Sequence, residues 1–259
     1  MSLQGYLTAL NRRGHPDLVK MGARMSSVKA LLFDVFGTVV DWRTCITAEF
    51  DQLAQIYDIH LESSRLADEW RAQYQPSMEA IRDGKRPFAR LDVLHAENLN
   101  HVLAHNDLTV FGEAERARLV KAWHRLQGWP DVSDGLQRLK KNFIIAPQSN
   151  GNISLLVNMA KAANLPWDVI LGAEIVQTYK PRPEAYERAC DALGLTTANC
   201  MMVAAHNDDL LAARNTGMKT AFILRDTEHG PHQTRDLKPE SDWDICAKNF
   251  LELADKLCC

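Results

Sequence analysis

The stretch Leu31-Leu32-Phe33-Asp34-Val35-Phe36-Gly37-Thr38 decides the fold. Three apolar residues run without alternation and then stop at an acid, a glycine and a hydroxyl. A run apolar on both faces suits a strand buried inside a parallel sheet with helices on each side. Four further runs have the same character: Phe143–Ala146, Val169–Leu171, Met201–Ala204 and Ala221–Leu224. Helix patterns with proper ends lie between them. Pro183 stands where a first helical turn tolerates a missing N–H, and Gly194 and Gly217 stand where helices stop. Strands alternating with helices predict a doubly wound, Rossmann-like α/β parallel-sheet core with right-handed crossovers. Residues 44–125 break the alternation, reading as helix throughout with Gly84 and Gly112 as punctuation. About 80 such residues inserted after the first strand predict a helical cap over the carboxyl ends of the strands, where open α/β sheets bind ligands. The expected organisation is an N-terminal arm (1–28), a core (29–43 and 126–259) and a cap domain (44–125).

Composition narrows the function. The 259 residues are 46% hydrophobic and 24% charged, with 30 Lys plus Arg against 33 Asp plus Glu, a net charge of -3. That balance, without a basic run, argues against binding nucleic acid or an anionic membrane surface. No apolar run approaches the roughly 20 residues of a membrane helix. The first 28 residues carry Arg12, Arg13, Lys20 and Arg24 without an apolar core, unlike a secretory signal. The six cysteines lack paired spacing except the terminal doublet, and read as reduced thiols of a cytoplasmic protein. A soluble enzyme or a binding module remains.

The strand ends carry the chemistry. The first run ends at Asp34 with Thr38 beyond it, the second at Ser149-Asn150, and the third is followed by Lys180-Pro181 with Tyr186. The fourth ends at His206-Asn207-Asp208-Asp209. A single Asp at a strand end is weak evidence, because Asp is a common helix cap. Successive strand ends that each supply a polar or charged group to one sheet edge are harder to assign to capping alone.

These motifs resemble the haloacid dehalogenase superfamily over roughly residues 28–257. Most of that superfamily are phosphatases with a second Asp two residues after the nucleophile and a metal-binding Asp after the fourth strand. Here those positions are Phe36 and Ala205. Phe36 cannot act as an acid, and magnesium loses a carboxylate ligand. An aromatic residue at 36, the Lys180-Pro181-x-Pro183-x-x-Tyr186 spacing and Trp70-Arg71 near the cap's start are similar to the (S)-2-haloacid dehalogenases, which need no metal or other cofactor. The resemblance implies hydrolysis of short (S)-2-haloalkanoates to (R)-2-hydroxy acids through an aspartyl ester on Asp34, and a homodimer. A magnesium-dependent phosphatase and a non-catalytic module of the same fold are the alternatives.

The resemblance also implies roles. Asp34 attacks, Lys180 keeps it ionised, and Thr38 hydrogen-bonds it. Ser149, with backbone N–H groups near Asn150 and Phe36, holds the substrate carboxylate, and Tyr186 belongs to the same motif. Arg71 receives the halide. Asp209, with Asp208 adjacent, matches the acid of the fourth motif, although Ala204 and His206 replace its usual Ser and Asn. His206 could therefore orient the water or ester, or share the role of base. Plainer readings stand beside these. Asp34 caps a helix, Ser149 and Thr38 close local turns, and Arg71 joins Arg65, Arg82, Arg86 and Arg90 on a solvated surface. Trp42, Tyr74 and Phe88 form either a dry wall or plain core. The preferred halogen is not legible.

Overall fold

The structure is a computed structural model that describes residues 27–259; the expected arm lies almost wholly outside them. Five strands, β1 (Ala30–Phe33), β2 (Ile144–Pro147), β3 (Cys200–Ala204), β4 (Lys219–Ile223) and β5 (Ile245–Ala247), form one parallel sheet in the order β2-β1-β3-β4-β5. Ala30 registers with Ile144 on one side and Cys200 on the other, placing β1 inside the sheet between β2 and β3. Successive side chains of a strand point to opposite faces. Leu31, Phe33, Met201 and Val203 accordingly enter one apolar cluster, while Ala30, Leu32, Met202 and Ala204 enter the other. Both faces are covered, which is why these runs show no polar alternation.

Two strand expectations are corrected. Val169–Leu171 does not form a strand; only Leu171 bridges to Gln148. The backbone N–H of Ile145 donates to the Asp168 carboxylate at 3.0 Å instead of to a neighbouring strand, so the ladder is interrupted there. The fifth strand is β5, whose three residues are too few to show a period.

Between β1 and β2 lie the helices α1 (Trp42–Tyr57), α2 (Ser63–Ala72), α3 (Tyr74–Arg82), α4 (Leu91–His105) and α5 (Glu113–Ala122), with no strand among them. Asp41 caps α1 by accepting from the Thr44 N–H, and Trp42, Ile46, Phe50 and Leu53 form its buried stripe. Trp70 of α2 meets Phe50 and Trp123, joining the insertion into one apolar core. The remaining helices are α6 (Val132–Leu139), α7 (Ile153–Ala162), α8 (Ala173–Val176), α9 (Pro183–Asp191), α10 (Asn207–Asn215) and α11 (Phe250–Lys256). Pro183 opens α9, and Gly194 and Gly217 take the left-handed φ of +65° and +89° beyond α9 and α10. All six cysteines are free thiols, and no helix among the described residues is long and apolar enough to cross a membrane.

Candidate active site

Asp34 emerges from β1 with its N–H still bonded to Val203 of β3, so its carboxyl is presented at the carboxyl edge of the sheet by two neighbouring interior strands. Its Oδ2 accepts from Thr38 Oγ1 at 2.7 Å and its Oδ1 from Lys180 Nζ at 2.9 Å. Thr38 is fixed in turn by the Ala205 N–H at 2.9 Å. The Lys180 ammonium also donates to Asp209 Oδ2 at 2.5 Å, and Tyr186 donates to Asp209 Oδ1 at 2.6 Å. Asn150 Oδ1 accepts from the Lys180 N–H at 2.8 Å, anchoring the backbone that carries the ammonium. Asp34, Thr38, Asn150, Lys180, Tyr186 and Asp209, far apart in sequence, thus meet at one place.

The electrostatics follow from this packing. Burial alone would raise the Asp34 carboxyl, but Lys180 and His206 outweigh it and hold the group well below the usual carboxylate range. Burial likewise opposes charge on Lys180, and Asp209 and Asp34 overcome it, raising the ammonium above its ordinary value. For Asp209 burial prevails, with Lys180 as a partial offset and Asp34 as a like charge, so its carboxyl is raised. One cation therefore serves two acids unequally, lowering Asp34 while Asp209 stays raised.

His206 brings a group the sequence did not single out. Its Nδ1 lies 3.2 Å from Asp34 Oδ2 and its Nε2 2.8 Å from Glu228 Oε2. Glu228 is buried and also accepts from Trp42 Nε1 at 3.0 Å. Burial would raise the Glu228 carboxyl, but His206 brings it down to about 2. Space for it is left by Gly37 (φ +91°), where an added Cβ would come within 2.0 Å of Glu228 Oε1. Glu228 lies in the irregular loop after β4, outside any periodic pattern; an acid beyond a strand end was its only sequence signal.

A cavity of about 950 Å³ opens between the insertion and the strand ends, lined by Asp34, Lys180, His206 and Asp209 on the core side. Arg71 lines the opposite wall, its guanidinium carbon 4.1 Å from the ring centre of Tyr74, 5.4 Å from Trp42 and 5.7 Å from Phe36. Among the described residues its Nη1 is buried without a hydrogen-bond partner. A cation held by three aromatic faces with a free donor is suited to receive an anion. Trp42 and Tyr74 therefore do face the cavity, whereas Phe88 packs on Tyr179 away from it. Ser149 is buried and its Oγ accepts from the Gly151 N–H at 3.1 Å; the cavity wall at this strand end is Asn150. Asp208 lies on the rim and accepts from the Asp209 N–H at 2.8 Å, which separates the two adjacent acids. Arg82 is not the solvated arginine expected from its helix. Its side chain is 7% exposed, and Nη1 donates to the Lys180 carbonyl at 3.0 Å, joining α3 to the core at the Lys180 backbone.

Position 36 puts an aromatic ring against Tyr74 and Trp123, and position 205 a backbone N–H on Thr38, so neither supplies the carboxylate of a metal-dependent phosphatase. Among the described residues no group of three or more His, Cys, Asp or Glu is placed to hold a metal ion. A family model described as haloacid dehalogenase-like hydrolase matches residues 28–217. The chain belongs to this family. Among haloacid dehalogenase-like hydrolases it is 28% identical to (S)-2-haloacid dehalogenase 4A of Burkholderia cepacia, over 89% of this chain and 100% of that one. It is 30% identical to (S)-2-haloacid dehalogenase 1 of Pseudomonas sp. (strain CBS-3), over 78% and 86%. The crystal structure of the defluorinating L-2-haloacid dehalogenase Rha0230 superposes with a TM-score of 0.87 at 51% identity, covering 90% of this chain and 96% of that one.

Proposed function

We propose that this protein is an (S)-2-haloacid dehalogenase that displaces halide from short 2-haloalkanoates by attack of Asp34. The observation that carries the proposal is a buried carboxyl held by Lys180 and Thr38 on one side of a cavity whose other side carries Arg71, with an Nη1 that has no hydrogen-bond partner among the described residues. In-line attack on the carbon bearing the halogen leaves an ester on Asp34, and water cleaves it to regenerate the carboxylate. Lys180 keeps the attacking group charged and oriented. Asp209, with both oxygens taken by Lys180 and Tyr186, holds the ammonium in place. The substrate carboxylate is assigned to the Ser149–Asn150 strand end and the backbone N–H groups there and at Phe36. The departing halide is assigned to Arg71, with Trp42, Tyr74 and Phe36 excluding water around it.

The test is release of chloride and (R)-lactate from (S)-2-chloropropionate, undiminished by chelator. Turnover of a phosphomonoester that requires magnesium, with no chloride released, would replace this reading by the phosphatase one. Arg71→Met is expected to slow the halide-release step by about 10²–10³-fold, the cost of removing one preorganised donor from a developing anion. Rapid-quench measurement of chloride checks it; an unchanged rate would remove Arg71 from the halide's path. The defluorinating relative extends the proposal to fluoroacetate as a substrate. A cytoplasmic homodimer completes the reading, supported by the free thiols and by Val93 and Val110, apolar residues exposed on the helical insertion.

A further inference from the structure

His206 stands between two carboxylates, and only one of them keeps its charge through a turnover. Nδ1 faces Asp34 Oδ2 and Nε2 faces Glu228 Oε2. Nε2 is in hydrogen-bond contact with Glu228 and Nδ1 in ion-pair contact with Asp34, and a ring protonated on both nitrogens satisfies both acids. The other charges around it are few. Lys180 lies behind Asp34 with Asp209 beyond it, and Asp208 is at the rim of the same helix start. His229 approaches Glu228 Oε1 at 3.6 Å, and Arg71 faces Glu228 from the insertion. Burial and the positive end of α10 oppose the imidazolium, and Glu228 and Asp34 together outweigh them, raising His206 well above 6.5.

Resting on the dehalogenase reading, we propose that esterification of Asp34 discharges His206, which then serves as the base that activates the hydrolytic water, with Glu228 as its positioning residue. The steps balance. Asp34 carboxylate and R–X give the Asp34 ester and X⁻. His206 imidazolium, having lost one of its two anions, gives its Nδ1 proton to solvent through the cavity it lines. Neutral His206 then takes a proton from the water that attacks the ester, yielding hydroxy acid, Asp34 carboxylate and the imidazolium again. The sum is R–X plus water to R–OH, X⁻ and H⁺, with the proton leaving beside the halide and before the alcohol. Asp209 is poorly placed for the same task, because both its oxygens are already hydrogen-bonded.

Two measurements test this. Asp34→Asn, checked by mass for deamidation, is a neutral stand-in for the ester, and ¹⁵N chemical shifts report the protonation of His206 without turnover. His206 is expected to stay doubly protonated past neutral pH in the wild type and to titrate about 1–3 pH units lower in Asp34→Asn. A ring that is already neutral in the wild type at pH 7, or that keeps its proton over the same range in Asp34→Asn, overturns the proposal. In the second measurement, His206→Asn and Glu228→Gln are mixed with (S)-2-chloropropionate. Each is expected to release chloride in a burst of one equivalent per site and to accumulate the ester on the Asp34 peptide, read by mass. Steady turnover should fall about 10²–10⁴-fold, the range for a general base. Wild-type turnover without ester accumulation removes His206 from the hydrolytic step. Absence of chloride from the wild-type enzyme is a different result, and counts against the dehalogenase reading itself.

Discussion

Asp34→Ala is expected to abolish halide release, with a loss of at least about 10⁴-fold in kcat, the scale seen when a nucleophile is removed and only binding remains. No neighbour can replace it. Asp209 has both oxygens engaged, and Glu228 is buried behind His206. Chloride release from (S)-2-chloropropionate measures the effect, and unchanged cavity binding of chloropropionate would show that the fold is intact. The same carboxylate sets a pH expectation for the wild type. Because Asp34 is held well below the ordinary carboxylate range, lowering the pH from 8 to 5 leaves it ionised. The chloride burst should therefore stay flat over that interval. A burst that falls with an apparent pKa near 4–5 would show that the Lys180 and His206 contacts do not hold in solution.

Lys180→Met is expected to damage both stability and catalysis. In the wild type, one ammonium, 8% exposed, neutralises two buried carboxylates at 2.9 and 2.5 Å. Removing one partner of a buried ion pair leaves uncompensated charge and costs about 3–5 kcal/mol. The sign of its pH dependence follows from the two carboxyls. Without the cation their burial and mutual repulsion raise them, so one retains a proton at mild acidity. A carboxyl raised above its unfolded value contributes stability below that value and loses it as pH rises. The deficit relative to the wild type should thus be smallest near pH 4 and grow toward neutrality, as urea melts across that range would show. Halide release should fall as pH drops, over an interval where the wild type is flat, because the remaining proton competes for Asp34. A variant equally stable at pH 4 and 7, with a flat burst, would show that Lys180 does not bridge the two acids.

The fold and the first ring of site residues are legible in the sequence for a common physical reason. A strand buried on both faces must be apolar throughout, so Leu31–Phe33, Met201–Ala204 and Ala221–Leu224 announce themselves. Any polar residue ending such a run is placed at the carboxyl edge by the strand itself. Asp34, Asn150 and His206 inherit their position that way, and Lys180, Tyr186 and Asp209 are tied to it by family spacing. Val169–Leu171 misled because apolarity alone does not make a ladder: the Asp168 side chain takes the Ile145 donor that a strand would have used.

What the sequence could not show are the groups whose place depends on contacts between distant, irregular segments. Glu228 sits in a loop and becomes the partner of His206 only because Gly37 leaves room and Trp42 supplies a donor. Arg82 reads as one of several cap arginines, and only docking of α3 brings it to the Lys180 carbonyl. Arg71 is singled out by resemblance, yet its free donor exists because three aromatic rings surround the guanidinium. By itself the sequence determined four of the five strands, the inserted helices and the acid at the end of β1, since local periodicity and burial specify them. The tertiary structure decided which charges face one another across the cavity, since loops and long side chains carry no period and take their partners only when the chain has closed.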